Sequence, residues 1–186
     1  VTHGRTEFHA PHPYNDYHSE EFIRLAVARL AQMGRRRLLL VVAREQTYNH
    51  HTIVTTYREA AARHGLQAQV LSPAIAEPAS AETRAFGREI ARMAPRPDGI
   101  ICDSELRSLF IIAGLQDESV ALGRDVHFIC KQTSELLPTL YPELDTIEED
   151  VLAAGMELAR LLIRRIEGEP AETLRTLGEP RVHWRG

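Results

Sequence analysis

The sequence predicts a doubly wound α/β domain, a parallel sheet with helices on both faces. Short, continuous apolar runs recur along the chain, the signature of strands buried on both faces. Segments with helical start and stop signals separate these runs in strict alternation, which calls for crossover connections and hence parallel pairing. At 186 residues, 44% hydrophobic and 26% charged, the chain is long enough for one such domain with a sizeable core.

The elements follow in order. Ser19, with Glu20 and Glu21 behind it, reads as the N-cap of a helix whose apolar face is Phe22, Leu25, Ala26, Leu30 and Met33, ended by Gly34. The run RRLLLVV (36–42) is the first buried strand. A helix over 52–64 closes at Gly65, and LQAQVL (66–71) repeats the buried-strand signature. Ser80 caps a helix that runs to Met93 and is stopped by Pro95 and Pro97. DGIIC (98–102), a helix over 104–115 and DVHFIC (125–130) complete the alternation. A last long helix is expected from Asp145 and Thr146, where Thr146 and Glu149 have capping-box spacing, with Val151, Gly155, Leu158, Leu162 and Ile166 on its apolar face. TLRTL (173–177) is a short strand candidate before the tail EPRVHWRG.

In doubly wound sheets ligands sit beyond the carboxyl ends of the strands. That rule selects Ala43-Arg44-Glu45 with residues 47–51, Ser72-Pro73, Asp103-Ser104-Glu105 and Lys131-Gln132-Thr133. The last trio ends a core strand in polar, hydrogen-bonding side chains.

Several function classes find no support. A net charge of −4 gives no global basic field for nucleic acid. No stretch approaches the apolar length of a membrane span, and residue 1 is Val, so a mature part or a fragment of a longer chain is expected. Cys102 and Cys130 each close an apolar strand and read as reduced core residues of a cytoplasmic protein. The pairs His50/His51 and His9/His12 lack Cys or carboxylate companions at metal-ligand spacing, so no metal site is expected. With no glycine-rich phosphate loop or nucleophile elbow either, neither a cofactor nor an enzymatic activity is expected.

Five stretches, in order, carry a family resemblance. They are FIRLAVARLAQMGRRRLLLVV, RPDGIICDSELRSLFIIAGL, GRDVHFICKQT, YPELDTIEEDVLAAGMELARLLIRRIEGEP and the closing EPRVHWRG. Together they resemble the C-terminal half of a regulator of the lactose-repressor (LacI/GalR) family. The resemblance implies a periplasmic-binding-protein-like type I fold, here one subdomain plus part of the other. It divides the chain into 1–15, the end of a first subdomain and crossover; 16–149, the C-terminal effector-binding subdomain; 150–178, a helix and strand returning to the first subdomain; and 179–186, a C-terminal strand or tail. If that helix belongs to an absent part, its apolar face needs another cover: a second chain, or a position over the sheet that the family does not use.

Carried over residue by residue, the family's Asn-Asp pair falls on Ser104-Glu105, and its effector-binding Asp falls on Gln132, with Lys131 beside it. An Asp accepts hydrogen bonds as a charged group; a Gln offers one acceptor and one donor pair. The family's sugar-binding Arg has no Arg equivalent in TYNHHTIVTTYREA (47–60), where Ile53, His50 or His51 takes its place. Tyr48 offers a stacking face for a sugar, and Glu149 a rim contact on the hinge. The resulting expectation is the effector-sensing and dimerising part of a cytoplasmic transcription regulator. It would bind a small carbohydrate-like molecule and act on DNA through an absent N-terminal helix-turn-helix domain. An extracytoplasmic sugar-binding protein of the same fold is the alternative.

Overall fold

The structure is a computed structural model that describes residues 1–5, 12–43, 48–73 and 80–185, without the side chain of Tyr48. Its elements in chain order are β1 (Thr2–His3), β2 (Tyr14–Tyr17), α1 (Ser19–Gln32), β3 (Arg37–Val41), α2 (Tyr48–Arg63), β4 (Gln67–Leu71), α3 (Ser80–Ala91) and β5 (Gly99–Cys102). There follow α4 (Glu105–Asp117), β6 (His127–Gln132), α5 (Leu136–Leu140), β7 (Asp145–Glu148), α6 (Val151–Ile166), a short 3-10 turn, β8 (Arg175–Gly178) and β9 (Arg181–His183).

Two sheets form. The larger has the order β4-β3-β5-β6-β7-β9, parallel throughout except for β9, which runs antiparallel to β7. The smaller, β1-β2-β8, is parallel. Helices α1 and α2 pack side by side, as do α3 and α4. The apolar run of β3 now has its explanation. Leu38, Leu40 and Val42 enter one core with Phe22, Val27 and Tyr57, while Leu39 and Val41 enter the opposite core with Ile111 and Leu115. Successive strand residues face opposite sides, so a strand covered on both faces is apolar at every position.

Several expected features are corrected. β4 does not repeat that burial: Gln67, Ala68 and Gln69 are exposed, because β4 is an edge strand with β3 as its one neighbour. Ser19 lies inside α1 and its hydroxyl reaches Tyr17 O at 3.4 Å, while His18 holds the cap position. α2 starts at Tyr48 rather than Thr52. Residues 145–148, expected to open the last helix, form β7, paired with β6 on one side and β9 on the other. Sheet hydrogen bonds on both edges outweigh the local capping pattern. The helix begins after Asp150, whose Oδ1 accepts the Ala153 N–H at 2.8 Å.

The apolar face assigned to that helix is corrected as well. α6 packs on β1 and β2 of the small sheet, with Leu161 fully buried, rather than over the large sheet. Most of the expected face turns the other way, although Leu158 is half-buried. Val151 and Leu162 are each 49% exposed, Leu152 75% and Ile166 77%, with Met156 and Ile163 beside them.

Candidate functional site

The order of the large sheet reverses between β3 and β5, since β4 lies outside β3 while β5, β6 and β7 continue the other way. A crevice at the carboxyl ends is expected at such a switch point. Ser104 stands there as the N-cap of α4, with extended backbone angles, and its Oγ accepts the Arg107 N–H at 3.3 Å. Its hydroxyl proton makes no hydrogen bond among the described residues. Asp103 beside it receives Arg107 Nη1 at 3.2 Å, a pair that stiffens the turn.

Gln132 ends β6 at the same level. Cys102 and Cys130 are register partners, and Ser104 and Gln132 each lie two residues further along. Gln132 is 4% exposed, and its Oε1 accepts the Thr146 hydroxyl at 2.6 Å. The carbonyl of Gln132 takes the Glu149 N–H at 2.8 Å, so the strand end and the crossover are tied together. Its side-chain amide nitrogen has no hydrogen-bond partner among the described residues.

Lys131 belongs to the other face of the sheet. Its Nζ pairs with Glu149 Oε2 at 2.9 Å and lies 5.5 Å from the Tyr17 ring centroid. Glu149 also meets His3 Nε2 at 3.4 Å. The Tyr17 hydroxyl is buried without a partner among the described residues. Burial, and then Glu149 and Glu148, push its ionisation far above the ordinary range. A hollow of ≈ 500 Å³ at this crossing between the sheets is bounded by Tyr17, Glu149, Glu157 and Thr176.

The remaining site residues are placed as follows. His50 lies on the first turn of α2, and its Nδ1 donates to Ala43 O at 2.8 Å, holding the end of β3. His51 is exposed, edge-on to His50. Arg44, Glu45 and Thr47 lie outside the described residues, as does the Tyr48 side chain. The structure therefore brings Ser104 and Gln132 to one level and Lys131 and Glu149 into a pair, while Thr133 turns to a different partner.

That partner is Glu105, which the sequence placed at a strand tip but to which it assigned no role. Its carboxylate accepts Thr133 N–H at 3.1 Å, the Thr133 hydroxyl and the Ser134 hydroxyl at 2.9 Å. A buried acid opening α4 thus fixes the loop that leaves β6. The signal was present, since an acidic first-turn residue can accept from a neighbouring loop as well as interact with its own helix. Arg5 was also missed. It donates to Asp16 Oδ2 at 2.7 Å and forks onto Glu20 at 3.1 and 3.0 Å, joining β1, β2 and α1. Burial alone would raise the Glu20 carboxyl, but the Arg5 fork wins and lowers it.

Another hollow, of ≈ 490 Å³, opens at the amino ends of β6 and β7, lined by His127, Asp145 and apolar side chains, away from Ser104 and Gln132. No group of three or more His, Cys, Asp or Glu side chains among the described residues is placed to hold a metal ion. At the carboxyl ends the Ser104 hydroxyl and the Gln132 amide place two hydrogen-bond donors at one level, chemistry suited to a small polar molecule.

A doubly wound sheet with polar strand tips at its switch point, joined by crossing segments to a second parallel sheet, defines a periplasmic-binding-protein-like domain. A model of the family described as periplasmic binding protein-like domain matches residues 27–186, and the chain belongs to that family. It is 25% identical over 156 residues to the HTH-type transcriptional regulator CelR of Thermobifida fusca, covering 84% of this chain and 46% of the relative, so it spans about half that protein's length. It superposes on a regulatory protein of the LacI family from Chloroflexus aggregans with a TM-score of 0.82 and 21% identity, over 98% of this chain and 66% of that one. A LacI family regulator from Arthrobacter sp. FB24, in complex with lactose, gives a TM-score of 0.82 and 19% identity over 98% of this chain and 67% of that one. The fold is that of LacI-family effector-binding domains, and α6 accordingly occupies a position within that fold.

Proposed function

We propose that the chain is the effector-sensing and dimerising part of a LacI-type transcription regulator, working in the cytoplasm without catalysis. In this reading it binds a small carbohydrate at the carboxyl ends of β3, β5 and β6, and a helix-turn-helix domain elsewhere in a longer protein reads DNA. The observation that carries the proposal is the pair of unengaged donors, the Ser104 hydroxyl and the Gln132 amide nitrogen, at the tips of adjacent parallel strands. A relative of the same fold holds lactose. His50, His51 and Tyr48 are proposed as further ligand contacts at these strand ends, with Lys131 and Glu149 contributing from the opposite face of the sheet. No observation favours the alternative of an extracytoplasmic binding protein, as the relatives matched are transcription regulators. Among the described residues no helix is long and apolar enough to cross a membrane.

The same reading accounts for the open apolar face of α6. Apolar patches of this kind are covered in stable proteins, and the proposed cover is the remainder of a first subdomain, which would close the sensor from the other side. Sugar binding would then shift the balance between two closures of the subdomains and alter the spacing of DNA-reading domains across a dimer.

Thermal melting of the full-length protein with lactose, other disaccharides, pentoses and sugar phosphates tests this. A ligand at about 100 times its Kd stabilises by about 2.7 kcal/mol. That rise should vanish in Ser104→Ala and Gln132→Ala, each compared with its own ligand-free melting temperature, which the lost cap and the lost Thr146 acceptor lower. If no sugar or sugar phosphate raises the melting temperature, the proposal is wrong.

A further inference from the structure

Gln132 is held by a directional relay that begins at Arg185, two residues beyond β9. Arg185 Nη1 donates to Leu144 O at 2.9 Å and to Thr146 Oγ1 at 2.6 Å. A guanidinium has only donors, so the Thr146 oxygen is the acceptor in that bond. Its single proton is then free to go onward, and it goes to Gln132 Oε1 at 2.6 Å. The Arg185 backbone N–H is itself anchored, donating to Asp145 Oδ1 at 2.6 Å. Thr146 is fully buried, so the relay operates away from water, where an unmade hydrogen bond is costly.

We infer that Arg185 and Thr146 fix the Gln132 amide with its oxygen turned inward and its NH2 turned to the crevice, so that the floor of the site is a hydrogen-bond donor. The inference rests on the proposed sugar-sensing role and specifies how that site chooses its ligand. Ser104 can donate as well: one lone pair of its oxygen holds the Arg107 N–H, and its proton is left to give. Two donors at one level therefore recognise acceptor lone pairs, on ring, glycosidic or hydroxyl oxygens of a carbohydrate. A carboxylate in place of Gln132 would do the reverse and recognise hydroxyl protons. Thr146 and Arg185 are positioning residues here, acting on the ligand only through Gln132.

The first test needs no ligand. In the full chain, nuclear magnetic resonance of the Gln132 side-chain NH2 should show an ordered group that becomes markedly more mobile in Thr146→Val. A Gln132 amide as ordered in that variant as in the parent overturns the inference. The second test uses the sugar that raises the melting temperature in the screen above, lactose first. The hydroxyl contacting the floor is the one whose deoxy penalty disappears in Gln132→Ala. At that position a donor floor binds the deoxyfluoro analogue at least as well as the deoxy analogue, since fluorine can accept but not donate. Weaker binding of the fluoro compound overturns the assignment. Thr146→Val should weaken the parent sugar about tenfold, the equivalent of one lost hydrogen bond. Silence of every sugar would sink the sugar-sensing role alone, and the amide measurement would still decide the orientation.

Discussion

Gly87 and Gly114 face each other where α3 crosses α4, and neither position has room for a side chain. A Cβ on Gly114 would stand 2.1 Å from Arg84 O and 2.8 Å from Gly87 Cα, and one on Gly87 would stand 2.4 Å from Ile111 O. The obstacles are backbone atoms and cannot swing aside. Gly114→Ala should therefore destabilise the chain by about 1–3 kcal/mol through overpacking, read as a lower urea midpoint at unchanged slope. Gly155 on α6 is the control, with nothing within 4 Å of its would-be Cβ. Gly155→Ala should stabilise by about 0.8–1 kcal/mol, the intrinsic helix preference. Equal effects at the two sites would contradict the close crossing.

Glu105→Ala should loosen the loop after β6. It strands the Thr133 N–H and two hydroxyls that the carboxylate now accepts. The expected cost is about 2 kcal/mol, the order seen when buried donors lose their acceptor. Hydrogen exchange at Thr133 should speed up while the amides of β5 stay protected. Uniform acceleration across the sheet would mean that Glu105 supports the whole fold and not this loop.

Acid should weaken the fold in two stages set by one cluster. Asp145 receives Arg29 Nε at 2.7 Å, His127 Nε2 at 3.0 Å and the Arg185 N–H. Burial holds His127 below its ordinary 6.5, against the pull of Asp145. Burial would raise Asp145, but the Arg185 N–H, Arg29 and His127 bring it below 3.8. For both groups the unfolded chain takes up a proton that the folded chain refuses. Stability is therefore full above 6.5, falls first as His127 is forced to charge, and falls again below 3.8 as Asp145 loses its ionised form. Melting temperature against pH should show the upper stage flattened in His127→Gln. An unchanged upper stage in that variant would assign it to another group.

The thiols should be silent. Cys102 and Cys130 are register partners on neighbouring strands, and both are fully buried and unoxidised. Burial, reinforced by Asp103, pushes the Cys102 thiol up to about 11, and burial, reinforced by Cys102, raises Cys130 well above 9.0. A thiol reagent at neutral pH should modify neither in the folded protein and both after unfolding. Rapid modification of the native chain would show that this part of the sheet opens readily.

The apolar alternation announced the large sheet because burial on both faces leaves an unmistakable trace, as at Leu38–Leu39–Leu40. The start of α4 was equally plain, and the structure makes Ser104 its N-cap, since capping is a local matter of one hydroxyl and a backbone N–H a few residues on. β7 was hidden, because Thr146 and Glu149 satisfy a local helix-start pattern and only strand pairing cancels it. The two sides of α6 were not separable either. Apolar residues occupy more than one stripe, and which stripe is covered depends on β1 and β2, far away in the chain.

By itself, then, the sequence determined the layering, the parallel direction of the sheet and the strand tips around which a polar site would gather. These follow from periodicity and short-range hydrogen bonding, which are written along neighbouring residues. Tertiary structure alone decided what those tips present. Lys131 is drawn to Glu149, Thr133 to Glu105, and Gln132 is turned by Thr146 and Arg185, which is 53 residues further along the chain than Gln132. A polar side chain offers either a donor or an acceptor according to which of its atoms is already engaged, and the engaging partners come from strands that only folding brings together.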